Sequence, residues 1–141
     1  MTIPTLETVQ VDDVLPTVVK RFTRADLVAY AHASGDMNPI HQDETVAKSV
    51  GLPDVIAHGM LTMGRAIQVV TDWVKDPTAV IDYSVRMTRP VVVPDTADGV
   101  SVTFGGKVAA INEDGTVRID LSAHFNEQTV LGQARATVRL P

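Results

Sequence analysis

The sequence predicts an α+β domain in which one antiparallel sheet is covered by a long helix. Three observations predict it. Apolar residues recur at three- and four-residue intervals before Pro77, they alternate with polar ones from Ile81 onward, and 141 residues suit one hydrophobic core rather than two. A sheet of about five strands has one face to bury, and only the long helix is suited to bury it.

Thr17 to Phe22 is a weak first strand. Thr23-Arg24-Ala25-Asp26 then imitates a capping box, and a helix is expected from there to about Ala33. Leu27, Tyr30, Ala31 and Ser34 share one face of it, and Gly35 ends it by tolerating left-handed backbone. Asp36-Met37-Asn38-Pro39-Ile40 is rich in turn formers, and Pro39 biases Asn38 away from helix, so an ordered loop is expected. Asp43 to Val50 reads as a short helix capped by Asp43 and closed by Gly51.

From about His58 to Lys75, Met60, Met63, Gly64, Ile67, Val70, Thr71 and Val74 outline the buried face of the longest helix. Gly59, Gly64 and Ala66 lower its intrinsic propensity and would let a strand come close. Asp76-Pro77 stops it. Beyond, Ile81, Tyr83, Val85 and Met87 alternate with polar residues as in a half-buried strand. Val100, Val102 and Phe104 begin another, with a bulge or bend expected at Gly105-Gly106. Val117, Ile119, Leu121, Ala123 and Phe125 alternate most cleanly, and Val130, Gly132, Ala134, Ala136, Val138 and Leu140 give the last strand one face. Glu113-Asp114-Gly115 and Asn126-Glu127-Gln128 supply the turns between them.

Composition narrows the function. Hydrophobic residues make up 45% and charged residues 21%, a globular balance. Twelve basic against seventeen acidic residues give a net charge of -5, which argues against a broad nucleic-acid footprint. Without cysteine there is no disulfide, thiolate metal site or cysteine nucleophile, which is compatible with a reducing cytoplasm, the expected location. The first residues lack the basic and apolar regions of a signal peptide, and no apolar run reaches the length of a membrane span.

Asp36 and His41 lie in one Gly/Asn/Pro loop, bringing a carboxylate and an imidazole within reach of one substrate or water. Such a pair can do general acid and base work. The plainer reading makes Asp36 a turn cap and His41 a satisfied loop histidine. His58-Gly59-Met60-Leu61 opens the long helix, where free N–H groups and the positive dipole end could donate to a carbonyl oxygen that gains charge. Gly59 leaves that approach open, although close packing would also explain a glycine. Other chemistries lack their signatures: HExxH, GxSxG, GxGxxG and the P-loop are all missing, so neither a metal nor a phosphate cradle is expected.

Tyr30-Ala31-His32-Ala33-Ser34-Gly35-Asp36-Met37-Asn38-Pro39-Ile40-His41, with Ala47 beyond it, resembles the hydratase motif of the MaoC-like (R)-specific enoyl-thioester hydratases and dehydratases. Ala57-His58-Gly59-Met60-Leu61 is similar to the segment that opens that family's central helix, and Arg86 to Pro90 with Pro94-Asp95 is similar to its strand-and-turn signature. Within the family, Val70 to Val80, including Trp73 and Asp76-Pro77, most resembles the (3R)-hydroxyacyl-thioester dehydratase subunits that are catalytic alongside a related partner.

The resemblance implies a single hot dog domain over residues 1–141, its sheet wrapped around the long helix and two subunits paired edge to edge. It implies that Asp36 and His41 hold the reactive hydroxyl or water, with Gly59 as oxyanion donor and Asn38 and His58 as substrate-binding neighbours. The residues alone leave open which of the pair takes which proton; the division adopted for dehydration gives Asp36 the Cα proton and His41 the departing hydroxyl. The expected activity is reversible dehydration of (3R)-3-hydroxyacyl thioesters to trans-2-enoyl thioesters on acyl carrier protein or coenzyme A. The carrier is substrate, so no cofactor is expected. The partner is either a second copy or a related hot dog subunit. A hot dog thioesterase and a noncatalytic acyl-binding subunit are the competing readings, and the joint presence of Asp36, Asn38 and His41 speaks against the second.

Overall fold

In the computed structural model, residues 2–141 are described. Strand β1, Val14–Phe22, is longer than its alternation suggested. Helix α1, Arg24–Ser34, starts at a complete capping box, with Thr23 Oγ1 accepting from the Asp26 N–H and the Asp26 carboxylate accepting from the Thr23 N–H. Gly35, at φ 80°, closes it with an N–H bond to the Ala31 carbonyl. Helix α2, Glu44–Ser49, is capped by Asp43 as expected.

The long helix is two helices, α3 over Gly59–Ala66 and α4 over Gln68–Val74. The junction at Ile67 has a local cause. The Tyr83 hydroxyl donates to the Met63 carbonyl at 2.7 Å, the same oxygen that the Ile67 N–H reaches at 3.3 Å. A side chain competing for a helical carbonyl loosens the ladder, and the next turn tightens: the Ile67 carbonyl accepts from both Val70 and Thr71 N–H groups. Desolvation raises the pKa of the half-buried Tyr83 phenol, so it stays a donor.

The buried stripe also differs from expectation. It runs through Thr62, Ala66, Val69, Val70 and Val74, while Met60 is exposed and, among the described residues, a Cβ on Gly64 would meet nothing within 4 Å beyond its own helix backbone. Lys75, at φ 61°, ends α4 by donating its N–H to the Thr71 carbonyl.

Strands β2 (Val80–Met87), β3 (Val100–Ile111), β4 (Thr116–Phe125), β5 (Gln128–Thr129) and β6 (Leu131–Arg139) complete the chain. The sheet is antiparallel in the order β1-β3-β4-β6-β2, with β5 paired to β4. The core lies between this sheet and the helices, filled by Phe22, Leu27, Val69, Val102, Phe104 and Ile119 among others.

Three strand expectations need correction. Gly105 and Gly106 pair in continuous register with Ser122 and Leu121; the irregularities fall opposite them, between Leu15 and Val18 of β1, and beyond them, between Val108 and Ala110. Gly106 serves close approach: a Cβ there would lie 3.2 Å from Leu121 Cδ2 and 3.3 Å from Val69 Cγ1, so α4 sits tight on the sheet at that point. In β6 the single face breaks at Gly132-Gln133, where Gln133 has φ 45° and the register with β2 shifts, so that Leu131, Ala134, Ala136 and Val138 are the buried set. Finally, β2 is an edge strand. Tyr83 and Val85 are half-buried, but Ile81 (52%) and Met87 (50%) stay largely exposed because, among the described residues, no strand pairs beyond β2.

Candidate active site

Two short segments outside the main sheet frame the site. Val55 to Ala57 run beside Val91 to Val93, with the Ala57 N–H bonded to the Val91 carbonyl at 2.9 Å and the Val93 N–H to the Val55 carbonyl at 2.8 Å. Arg24 of α1 fastens both, donating from Nε to the Val93 carbonyl and from Nη2 to the Asp54 carboxylate at 2.7 Å. This half-buried, charge-assisted pair sets α1, and the loop that follows it, against the ribbon.

The loop itself is a chain of local bonds. Ser34 Oγ accepts the Asp36 N–H, Asp36 Oδ1 accepts the Asn38 N–H, and Asn38 Oδ1 accepts the Ile40 N–H to cap a 3-10 turn at Pro39–His41. The turn-cap reading of Asp36 is therefore correct as far as it goes. Its carboxylate nevertheless remains exposed, and the turn drives His41 inward until only 7% of it is accessible.

His41 Nδ1 lies 2.7 Å from the Ile56 carbonyl. A carbonyl only accepts, so Nδ1 carries the proton and Nε2 is the free position. His58, the residue before α3, is 1% exposed; its Nε2 lies 3.1 Å from the Asp36 carbonyl, and its ring stacks on His41 with centroids 3.8 Å apart. Tyr30 meets the His58 ring edge-on, with centroids 4.7 Å apart. One nitrogen or carboxylate oxygen from each of Asp36, His41 and His58 lies within 4.8 Å of the others. These are the residues that could hold a metal ion, but both histidines are engaged to carbonyls and their rings are stacked, a geometry suited to a proton-transfer pair with a supporting ring.

Because His58 turns toward Asp36, it makes no cap to its own helix, and the first N–H groups of α3 are left without a side-chain acceptor. Gly59 and His41 both line a cavity of about 300 Å³, with Thr62, Met87, Val91 and Leu131 among its other walls. Asp36 and Asn38 stand outside that lining, and so does His58. A larger concavity of about 490 Å³, between Lys75, Asp76, Arg139 and Leu140, contains none of the sequence-derived site residues. Thr62, buried on the cavity wall, is the hydroxyl of the central helix that reaches the site, whereas Thr71 lies beyond the Ile67 junction.

The MaoC like domain family matches residues 7–124. The chain belongs to that family. It is 44% identical over 90 residues to 3-hydroxyacyl-thioester dehydratase X of Mycobacterium tuberculosis, covering 64% of this chain but 31% of that protein. It is 31% identical over 93 residues to an (R)-specific enoyl-CoA hydratase of Rhodospirillum rubrum, covering 65% of this chain and 64% of the relative. Among solved structures, a MaoC-like dehydratase superposes with a TM-score of 0.94 at 42% identity, over 99% of this chain and 43% of the other. The (R)-hydratase from A. caviae superposes at 0.83 with 25% identity, over 96% and 99%. The chain thus spans about a third of the length of the M. tuberculosis relative, and its architecture is the hot dog fold of this MaoC-like family.

Against the sequence reading, His41 and Gly59 share the cavity, and Asp36 reaches His41 from the loop. Asn38 has a local task, capping the turn that presents His41. Sequence reasoning did not single out Ile56, whose carbonyl fixes the His41 tautomer, or the Val55–Ala57 and Val91–Val93 ribbon. Two short β-branched runs were the available signal, but nothing in their spacing pairs them.

Burial lowers the pKa of His58, and the nearby His41 adds to this, against an opposing bond from the Asp36 carbonyl. The unfolded chain therefore binds the proton at a pH where native His58 does not. Stability from this residue is fully present above its ordinary value near 6.5 and declines as pH falls from there through the lowered native value. Urea midpoints measured at steps below pH 7 should fall in this window, and fall less in His58→Gln.

Proposed function

We propose that this chain reversibly dehydrates (3R)-3-hydroxyacyl thioesters to trans-2-enoyl thioesters in fatty-acid metabolism, with coenzyme A or acyl carrier protein as the thiol carrier. The observation that carries the reading is His41 standing between two partners: a polar atom of its ring lies within 4.8 Å of an Asp36 carboxylate oxygen, and the residue shares a cavity wall with Gly59, the first residue of α3. The names of the hydratase and dehydratase relatives support it.

In dehydration, the Asp36 carboxylate takes the Cα proton, and His41, protonated at Nε2, gives that proton to the β-hydroxyl as the C–O bond breaks and water leaves. The electron pair released at Cα passes through the thioester carbonyl, where the Gly59 N–H stabilises the oxygen at the positive end of α3. Hydration reverses each step: water loses a proton to His41 Nε2 as it adds to Cβ, and Asp36 returns a proton to Cα. His41 can do this because the Ile56 carbonyl holds its other nitrogen, leaving one defined face to exchange protons.

The chain is further proposed to pair along β2 with a second hot dog unit, identical or related. Ile81 and Met87 leave that edge apolar and unpaired among the described residues, and this chain covers 43% of the dehydratase structure that superposes at 0.94, so more than half of that structure's chain lies outside the match.

Purified protein added to crotonyl-CoA should remove the enoyl-thioester absorbance without releasing thiol. Activity of the chain alone supports a self-sufficient hydratase; activity only beside a second hot dog subunit supports the heteromeric form. Free thiol would instead identify a thioesterase, and binding without turnover an acyl-binding subunit.

A further inference from the structure

Asp36 sits on an exposed loop, yet the proposed chemistry needs its carboxylate held to within a fraction of an ångström of His41. Among the described residues its side chain is anchored only to the Asn38 N–H of the same loop. A connection from outside the loop reaches its backbone: His58 Nε2, at 3.1 Å from the Asp36 carbonyl. His58 is among the most buried side chains of the protein, clamped between the face of His41 and the edge-on ring of Tyr30. Its polar and ring contacts go to Asp36, His41 and Tyr30, so it is placed to hold the reacting groups.

We propose that His58 is a positioning residue for the acid–base pair, its Nε2–H tethering the Asp36 backbone and its ring fixing the plane of His41. This rests on the reading that Asp36 and His41 exchange the protons. The tether requires one tautomer, and the surroundings select it. The Asp36 carbonyl can only accept, so Nε2 must donate, and Nδ1 is buried without a hydrogen-bond partner. A buried lone pair without a donor costs less than a buried N–H without an acceptor, so the neutral Nε2–H form is the favoured one. One residue thereby joins the start of α3, which offers the Gly59 N–H, to both groups that move protons.

Two variants separate the tether from the ring. His58→Phe keeps an aromatic ring and removes the donor; His58→Gln keeps a donor of similar reach. In the full-length protein, amide hydrogen exchange over residues 36–41 should quicken in His58→Phe and return toward wild type in His58→Gln, with other segments unchanged. With crotonyl-CoA, kcat of His58→Phe should drop on the order of 100-fold at constant KM, as expected for misplaced rather than missing groups, and His58→Gln should recover most of it. Unchanged exchange in a folded His58→Phe variant overturns the proposal, as does a rise in KM at constant kcat, which would mean substrate contact. Should His58→Phe not fold, the nitrogen NMR spectrum of the wild-type histidines decides: a neutral Nε2–H tautomer for His58 supports the tether, and Nδ1–H overturns it. Exchange and tautomer are both read without turnover, so an inactive wild type would sink the proposed reaction while leaving the tether to be judged on its own.

Discussion

Asp36→Asn and His41→Ala should each lower the rate of crotonyl-thioester hydration by about 100- to 10,000-fold, the range expected when a positioned acid or base is removed. Asparagine preserves the carbonyl oxygen that accepts the Asn38 N–H, so the loop keeps its turn while losing the group that takes the proton. Alanine at 41 removes both ring nitrogens and frees the Ile56 carbonyl, yet leaves the 3-10 turn, whose cap comes from Asn38. Circular dichroism and thermal unfolding should therefore stay near wild type for Asp36→Asn, with a modest loss for His41→Ala because a buried ring leaves a gap beside His58. The double variant should be scarcely slower than the worse single one, since the two groups act in one step. Rates near wild type in either single variant are incompatible with the proposed chemistry.

Phe104→Ala should cost about 3–5 kcal/mol of folding stability, measured by urea denaturation, the usual range for emptying a fully buried aromatic site. Phe104 lies at the middle of β3 with no accessible surface, its ring 6.5 Å from that of Phe22, and Phe22 in turn lies under the Arg65 guanidinium at 4.4 Å. These contacts join the first long strand, the strand beside it and α3. A domain of this size has about 5–15 kcal/mol in total, so the variant should retain a minor share and unfold at markedly lower denaturant. A loss below about 1 kcal/mol would mean that the space refills, contrary to the dense packing expected of the core.

Local chemistry was legible where neighbours in sequence are neighbours in space. The capping box at Thr23, the left-handed Gly35, the Asp43 cap and the alternation of β4 all depend on residues within a few positions of one another, and all are found where the sequence placed them. The loop motif from Gly35 to His41 was readable for the same reason. Its turns are made by its own side chains.

What failed were inferences that needed a distant partner. The break at Ile67 depends on a hydroxyl sixteen positions away at Tyr83, the exposure of Ile81 and Met87 depends on β2 being an edge, and the role of Gly106 depends on where Val69 comes to rest. The sequence by itself determined which segments would be helix or strand and which loop would carry a carboxylate and an imidazole, because backbone preference, side-chain period and turn chemistry are short-range properties. Only the tertiary structure decided that Ile56 would fix the His41 tautomer, that His58 would reach back to Asp36, and that Gly59 would open onto the same cavity as His41. Those relations join residues through packing and hydrogen bonds across the fold, and no pattern along the chain encodes a distance between segments that meet only when the core has closed.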